Sequence, residues 1–532
     1  MNSNWSLKEK IGQMFIIAFA GEEMNPELER AITELNVGGV ILFQRNLKDA
    51  GKVRQLNRDI QRTARMHKRP PLWISIDQEG GGIAYLWEGM AISPGNMLIG
   101  AAGNAENAYD ASYLMGLQLM KLGFNMNFAP DIDINNNPKN PVIGARSFGE
   151  TAEMVSMFGQ KSIEGYRAAG MLAVGKHFPG HGDTEFDSHL SLPKVEKNLE
   201  ELERFELLPF IENIQTGMEA IMTAHIVYPK LDPDHPATLS SFFLKKLLRE
   251  KYRFDGLILT DSMEMQAISK FFGREAGTVK AVQAGADIIL ACGRDVAAQQ
   301  LMIEAVEKAV ADGQISEERI DSAVGRISAF KQKWIKSQEP AEEELPEVHE
   351  KTNHDRMEQI ALEGITLLFD RKGLLPLSSE ASVKVISQKT YNDENYVGDR
   401  KAVIHQVFNE GRYEIHYIDG ANPSVEEVDE LADSVKEEDY VLLLINERRT
   451  LDENWVNLYE EINRTTGKIV LVSLWNPQII SAFPADAAAY IAAYSNTSHT
   501  VSALKKLVEG RAEFRGKLPV TIPPFAEEPS KN

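Results

Sequence analysis

Three histidines, two aspartates and a lysine fall within residues 176–189, Lys-His-Phe-Pro-Gly-His-Gly-Asp-Thr-Glu-Phe-Asp-Ser-His. Histidine titrates near neutrality, and each of His177, His181 and His189 has a carboxylate close by in sequence. Three kinds of chemistry suit such a stretch. It could be a polar loop whose histidines satisfy backbone groups. It could be a zinc site built from His and Asp, although there is no H-e-x-x-H pattern and no cysteine pair. It could be an acid–base site in which Asp187 steers His189 two positions on.

The elements around the stretch bear on the choice. An apolar run, 171–174, precedes it, and Pro179, Gly180 and Gly182 break it, so it reads as a buried strand opening into a loop. Seven further apolar runs share the same half of the chain, at 15–19, 37–43, 72–77, 124–129, 220–225, 256–261 and 286–291. Amphipathic segments such as 105–122 and 199–215 separate them. Eight buried strands alternating with helices predict an α/β fold, a (β/α)8 TIM-type barrel. A doubly wound sheet would want a Gly-x-Gly-x-x-Gly turn after its first strand, and none is present.

Polar residues gather at the ends of these runs: Asp77, Asp131 and Asp133, Lys176 and His177, His225, and Asp261. Any one of them alone reads as a helix cap. Strand ends of a barrel share one mouth, so five ends behaving alike predict a single site and weigh against the plain polar loop.

Residues 337–356 are acidic and carry two prolines, which reads as a linker. It would divide a barrel domain (1–336) from a second domain (357–532). Five apolar runs in the latter, at 383–386, 413–418, 440–445, 469–474 and 490–494, predict a smaller α/β domain with a mostly parallel sheet covered on both faces. No comparable His/Asp cluster occurs there, so its role reads as structural or substrate-framing.

The 532 residues carry a net charge of −21, which argues against a nucleic-acid partner. The single cysteine, Cys292, rules out a disulfide framework and reads as a core residue. No apolar segment suits an export signal or a membrane span, so the expected location is cytoplasmic, with no membrane partner.

Several strings resemble glycoside hydrolase family 3, and within it bacterial two-domain β-N-acetylglucosaminidases. They are Ile-Asp-Gln-Glu-Gly-Gly (76–81), Asn-Phe-Ala-Pro (127–130), Asn-Pro-Val-Ile-Gly-Ala-Arg-Ser-Phe-Gly (140–149), Lys-His-Phe-Pro-Gly-His-Gly-Asp-Thr (176–184), Asp-Ser-His (187–189), Leu-Thr-Asp-Ser-Met (259–263) and Gly-Lys-Leu-Pro-Val-Thr-Ile-Pro (516–523). The resemblance covers nearly the whole chain and implies a barrel followed by an α/β/α sandwich domain. By the same resemblance, Asp261 is the catalytic nucleophile and His189, paired with Asp187, the general acid/base. Asp77, Arg146, Lys176 and His177 hold the sugar hydroxyls. The implied substrates are small carbohydrates, N-acetylglucosaminides of peptidoglycan fragments, with no metal or organic cofactor. Gly82 and Ala145 depart from the pattern, standing where relatives often carry Arg and Asp.

These roles suit the residue types. A carboxylate stays ionised at neutral pH, can attack a sugar and can later leave. An imidazole with an unperturbed pKa of about 6.5 can donate and then accept a proton. Cationic side chains and a carboxylate satisfy hydroxyls that would otherwise be buried unpaired. Arg146 and Lys176 could also serve as ion pairs at the barrel mouth, which is compatible with binding sugar. Two other functions remain open at this point. A His in place of a carboxylate acid removes one source of repulsion against phosphate, which would suit a phosphorylase. The same scaffold could also bind sugar without catalysis.

Overall fold

A computed structural model describes residues 5–87, 89–185, 191–335, 347–391 and 400–523. Seven strands open the fold: β1 (Phe15–Ile17), β2 (Gly39–Ile41), β3 (Trp73–Ile76), β4 (Met126–Asn127), β5 (Leu172–Ala173), β6 (Gly175–Phe178) and β7 (Ala220–Thr223). A short hairpin, β8 (Val227–Tyr228) and β9 (Asp232–Pro236), precedes β10 (Leu257–Ser262) and β11 (Ile288–Ala291). The main sheet runs β5-β4-β3-β2-β1-β11-β10-β7-β6, and every pairing in it is parallel. Its two end strands are consecutive pieces of one strand, interrupted at Val174. Val174 donates its amide to the carbonyls of Asn127 and Ala129, and a bridge joins Asp131 to Lys176, so the sheet closes on itself. All eight apolar runs read from the sequence lie on this barrel. They are nearly uninterrupted because each strand is buried on both faces, by the barrel interior and by the outer helices.

The helices show why they start and stop where they do. Asp49 caps the helix Ala50–Met66 through the Lys52 amide, and Thr151 caps Ala152–Ala169, which ends at the left-handed Gly170. The segment 199–215, expected as one helix, is two, Leu199–Arg204 and Leu208–Gln215. Pro209 sits in the first turn of the second, where its missing N–H costs nothing, and Asn198 caps the first.

Helix Glu317–Trp334 turns Ile320, Val324, Ile327, Lys331 and Trp334 inward. Lys331 is therefore a lysine on an apolar face. It is 4% exposed, and its Nζ donates to Gln13 Oε1 at 2.8 Å beneath the barrel. Burial pulls its ammonium down to about 7. The folded protein thus binds this proton less tightly than the unfolded chain, whose lysine titrates at about 10.4. The cost, on the order of 4 kcal/mol, is fully present below pH 7 and fades as pH rises towards the unfolded value. Lys331→Met is expected to be the more stable protein at pH 7, with the gap closing by pH 10. Parallel denaturant titrations at the two pH values check this, and a gap independent of pH would contradict it.

The acidic stretch continues from Glu347 as a helix, Glu347–Gly364, whose Met357, Ile360 and Ala361 are buried. The second domain holds β12 (Thr366–Asp370), β13 (Val383–Gln388), a small hairpin of β14 (Thr390–Tyr391) and β15 (Arg400–Lys401), then β16 (Tyr413–Ile418), β17 (Tyr440–Ile445), β18 (Ile469–Ser473) and β19 (Ala489–Ala492). Its sheet runs β12-β19-β18-β17-β13-β16. All pairings are parallel except β12 on β19, which makes the sheet mixed. The five apolar runs are β13 and β16–β19. The antiparallel edge strand β12 was not among them. Its side chains are only partly buried beyond Thr366, so it lacks the continuous apolar run of an inner strand.

The two domains are in contact. Gly364 sits in a tight place: a methyl on it would lie 2.2 Å from the Leu98 carbonyl, in the helix Asn96–Ala102 of the barrel. Arg356 donates to Asp110 and Asn107, and Thr521 to Glu150.

Candidate active site

The strands end on chemistry in a particular way. β10 changes register between Leu259 and Ser262, and β6 between Gly175 and Phe178. Such irregularities re-aim side chains, and these two bracket Asp261 and the pair Lys176–His177. Asp261, Asp77, Lys176, His177 and Arg146 all line one cavity of about 410 Å3 at the carboxyl ends of the strands. Five of the residues expected from sequence are therefore brought together. Asp187 and His189 lie outside the described residues. His181, which precedes them by six and eight positions, lines the same cavity.

The centre of the arrangement is a residue that the sequence reading did not single out, Glu79. Arg146 donates to both its oxygens, Nε to Oε2 at 2.9 Å and Nη2 to Oε1 at 2.8 Å. Lys176 Nζ stands 2.6 Å from Glu79 Oε1 and 2.7 Å from Asp77 Oδ1. Burial works against ionising Glu79, but Arg146 and Lys176 prevail and hold its carboxyl at about 2. Asp77 goes the other way: burial raises its carboxyl despite Lys176, helped by the negative charge of Glu79 and Asp261. For Lys176, burial opposes the charge, but Asp77 and Glu79 outweigh it and raise the ammonium. The chain Asp77–Lys176–Glu79–Arg146 is a rigid row of alternating charges, so Lys176 and Arg146 form the ion pairs expected at the barrel mouth, an arrangement compatible with binding sugar. Glu79 had a sequence signal, a second carboxylate two residues past Asp77 followed by Gly80 and Gly81, both with positive φ.

Behind this row, His177 Nδ1 lies 2.7 Å from Asp133 Oδ2, and its Nε2 lies 3.4 Å from Arg146 Nη2. Arg146 can only donate, so Nε2 accepts and the hydrogen sits on Nδ1. Asp133 also accepts the amides of His177 and His181. Burial, and next the adjacent Asp131, push the Asp133 carboxyl upward. Asp131, 3.4 Å from Arg146 Nη2, is raised by burial to about 6. Asp131, Asp133 and His177 hold potential metal-ligand atoms within 4.8 Å of one another. Those atoms already serve the amides, the imidazole and the guanidinium, so a cation there would compete with Arg146.

Elsewhere on the lining, Asp261 Oδ1 accepts the amide of Ser262 at 2.6 Å. His225 donates from Nε2 to the Ser262 carbonyl at 2.9 Å and steadies the strand end. Glu264, Phe43, Tyr85 and Cys292 complete the lining. Cys292 is partly buried and lines the cavity, so it is not the core residue expected from sequence; burial, and then Glu264, raise its thiol, which does not suit a nucleophile. Burial also raises the Glu264 carboxyl. The two departures, Gly82 and Ala145, line a much smaller space beside Glu79, closed by Trp475 and Tyr494 of the second domain.

Residues 6–330 match the glycosyl hydrolase family 3 N-terminal domain and residues 365–531 the family 3 C-terminal domain. The chain belongs to glycosyl hydrolase family 3. This glycoside hydrolase is 35% identical over 384 residues to beta-hexosaminidase A of Pseudoalteromonas piscicida, a match over 67% of the chain that spans 63% of that relative's length. It is 34% identical to a beta-hexosaminidase of Idiomarina loihiensis, over 54% of this chain and 86% of the relative. Among solved structures, a family 3 beta-N-acetylglucosaminidase from Paenibacillus sp. str. FPU-7 superposes with a TM-score of 0.89 at 38% identity, covering 97% of this chain and 99% of that one. No helix among the described residues of this hydrolase is long and apolar enough to cross a membrane.

Proposed function

We propose that the chain is a retaining exo-β-N-acetylglucosaminidase that removes terminal β-linked N-acetylglucosamine from peptidoglycan fragments through a covalent glycosyl-enzyme. The observation that carries the reading is the convergence of Asp261 and the Asp77–Lys176–Glu79–Arg146 row on one cavity. The named activities of the beta-hexosaminidase relatives and of the Paenibacillus enzyme support the N-acetylglucosaminide half of this reading.

In this mechanism the row of charges holds the sugar's hydroxyls, Lys176 and Arg146 donating and Asp77 accepting. Asp261 attacks the anomeric carbon while the pair His189–Asp187 protonates the departing oxygen. Water then enters as His189 takes a proton back, and a second displacement at the anomeric carbon restores its configuration. Burial of the row keeps competing water away from donors whose strength depends on it.

The deciding assay compares aryl β-N-acetylglucosaminide with aryl β-glucoside and examines the sugar released, with and without phosphate. Preference for the former and free N-acetylglucosamine of retained β configuration are expected. Sugar 1-phosphate as the main product would replace hydrolysis by phosphorolysis, and an α-configured product would remove the covalent intermediate.

Glu79→Gln tests the binding half of the site. The substitution removes the negative charge shared by Arg146 and Lys176 and leaves two buried cations with one carboxylate fewer, which is costly in a low-dielectric site. Affinity for N-acetylglucosamine is expected to fall roughly 10–100-fold, as for loss of a charged partner. Calorimetric titration of the folded variant checks this. Unchanged affinity would show that the row is structural only.

A further inference from the structure

We infer that Trp475 of the second domain is a positioning residue for sugar binding: its indole holds the turn that carries Glu79 and closes the space behind the Glu79–Arg146 pair. The inference deepens the proposed glycosidase reading and rests on it.

Glu79 opens a tight turn just past the end of β3. The amides of Glu79 and Gly80 donate to the Ile83 carbonyl, the Ile83 amide donates back to Gly80, and the Gly81 amide donates to the Ser93 carbonyl. Gly80 and Gly81 have φ of 99° and 58°, a region that glycine enters at least cost. Gly80 also presses on Ser93, whose Cβ would lie 2.6 Å from an added methyl. Gly82 has no such φ, and what requires its missing side chain is Trp475. A methyl there would come within 1.6–2.4 Å of three atoms of the indole. The turn is therefore clamped by contacts with a barrel loop and with the second domain.

Trp475 is itself fixed. It follows β18, and the amides on either side of it, those of Leu474 and Asn476, donate to the carbonyls of Ile445 and Glu447 at 2.8 and 3.1 Å, where β17 ends. Its side chain is buried. The indole lies outside the described lining of the sugar cavity, so it is not a contact of the substrate. With Tyr494 it lines instead a space of about 10 Å3 that Glu79 and Arg146 also border. Those two residues line both spaces, so their ion pair is a partition between the sugar cavity and the second domain. A space of that size has room for about one water, and neither the carboxylate nor the guanidinium can retreat into it. Without the indole, Glu79 could withdraw and more water could enter, which weakens the charge interactions that align Lys176 and Arg146. A shift of about 1 Å in such a group can cost up to about 10²-fold.

The experiment measures three things on the full chain: affinity for N-acetylglucosamine by calorimetric titration, kcat and KM on the aryl N-acetylglucosaminide, and stability by denaturant titration. Trp475→Ala is expected to weaken binding and raise KM about 10-fold, with kcat changed less than about threefold, because the row holds the sugar in the ground state and the transition state alike. Trp475→Phe keeps a ring over Gly82 and should recover part of the loss. Gly82→Ala disturbs the same contact from the barrel side and should weaken binding by a similar factor, so the test does not depend on one variant folding. In the double variant the two losses should not multiply, since the added methyl then has no indole to meet. A Trp475→Ala protein that is less stable yet binds the sugar as the parent does would make the indole a fastener of the domains. That result, or losses that multiply in the double variant, would overturn the inference while leaving the glycosidase reading intact. A parent protein that neither binds N-acetylglucosamine nor cleaves the aryl glycoside would overturn both.

Discussion

Asp261→Ala is expected to lose at least about 10³-fold in turnover while still binding N-acetylglucosamine, because the nucleophile is not a member of the binding row, although both line the same cavity. The carboxylate is placed by the irregularity at the end of β10 and accepts one short hydrogen bond from its neighbour's amide. That hydrogen bond lies within β10 itself, so truncation to Ala is expected to remove chemistry without unpacking the barrel. Two further results should accompany the loss. A 2-deoxy-2-fluoro glucoside, in which fluorine takes the place of the acetamido group, should trap the intermediate and label Asp261 alone in the parent protein. In the Ala variant, added azide should restore turnover and give the α-glycosyl azide, the product of a single displacement. A variant that retains more than about a tenth of the parent rate, a barrier change of roughly 1.4 kcal/mol, would sink the assignment.

His189→Ala should discriminate between leaving groups. A sugar alkoxide cannot depart without a proton, whereas a dinitrophenolate leaves almost unaided. General acid help is worth about 10²–10⁴ in rate. A loss of that size is expected on a natural disaccharide, and a far smaller one in the first step with the dinitrophenyl glycoside. Asp187→Ala should show the same pattern more weakly, since the imidazole remains but is no longer oriented. The acid's limb of the pH profile should vanish in His189→Ala. Equal losses on both leaving groups with that limb intact would move the proton donor elsewhere, and Glu264, a carboxyl raised by burial within the cavity, would be the group to test next.

Much of this architecture could be read without coordinates. A strand in a parallel barrel is covered on both faces, so it must be apolar almost throughout, and eight such runs separated by amphipathic segments leave few alternatives. The convergence of Asp77, Lys176, His177 and Asp261 followed from the same logic, because the carboxyl ends of parallel strands open on one side. Arg146 ends a single 3-10 turn, Gly144–Arg146, after β4, and only the family resemblance marked it.

The composition, the alternation of strands and helices, and the residue types at the strand ends thus determined the fold class and the kind of chemistry, since each depends on local pattern and burial. Tertiary structure alone decided which charges pair. Glu79 rather than Asp131 became the hub because it is the carboxylate that Arg146 grips with two donors and Lys176 reaches as well, and Coulomb interactions depend on separations that sequence spacing does not encode. It also decided that Gly82 meets Trp475, residues 393 positions apart, and so that the second domain stands at the mouth of the site. A contact between distant segments arises only when both have folded, and neither segment carries a sign of the other.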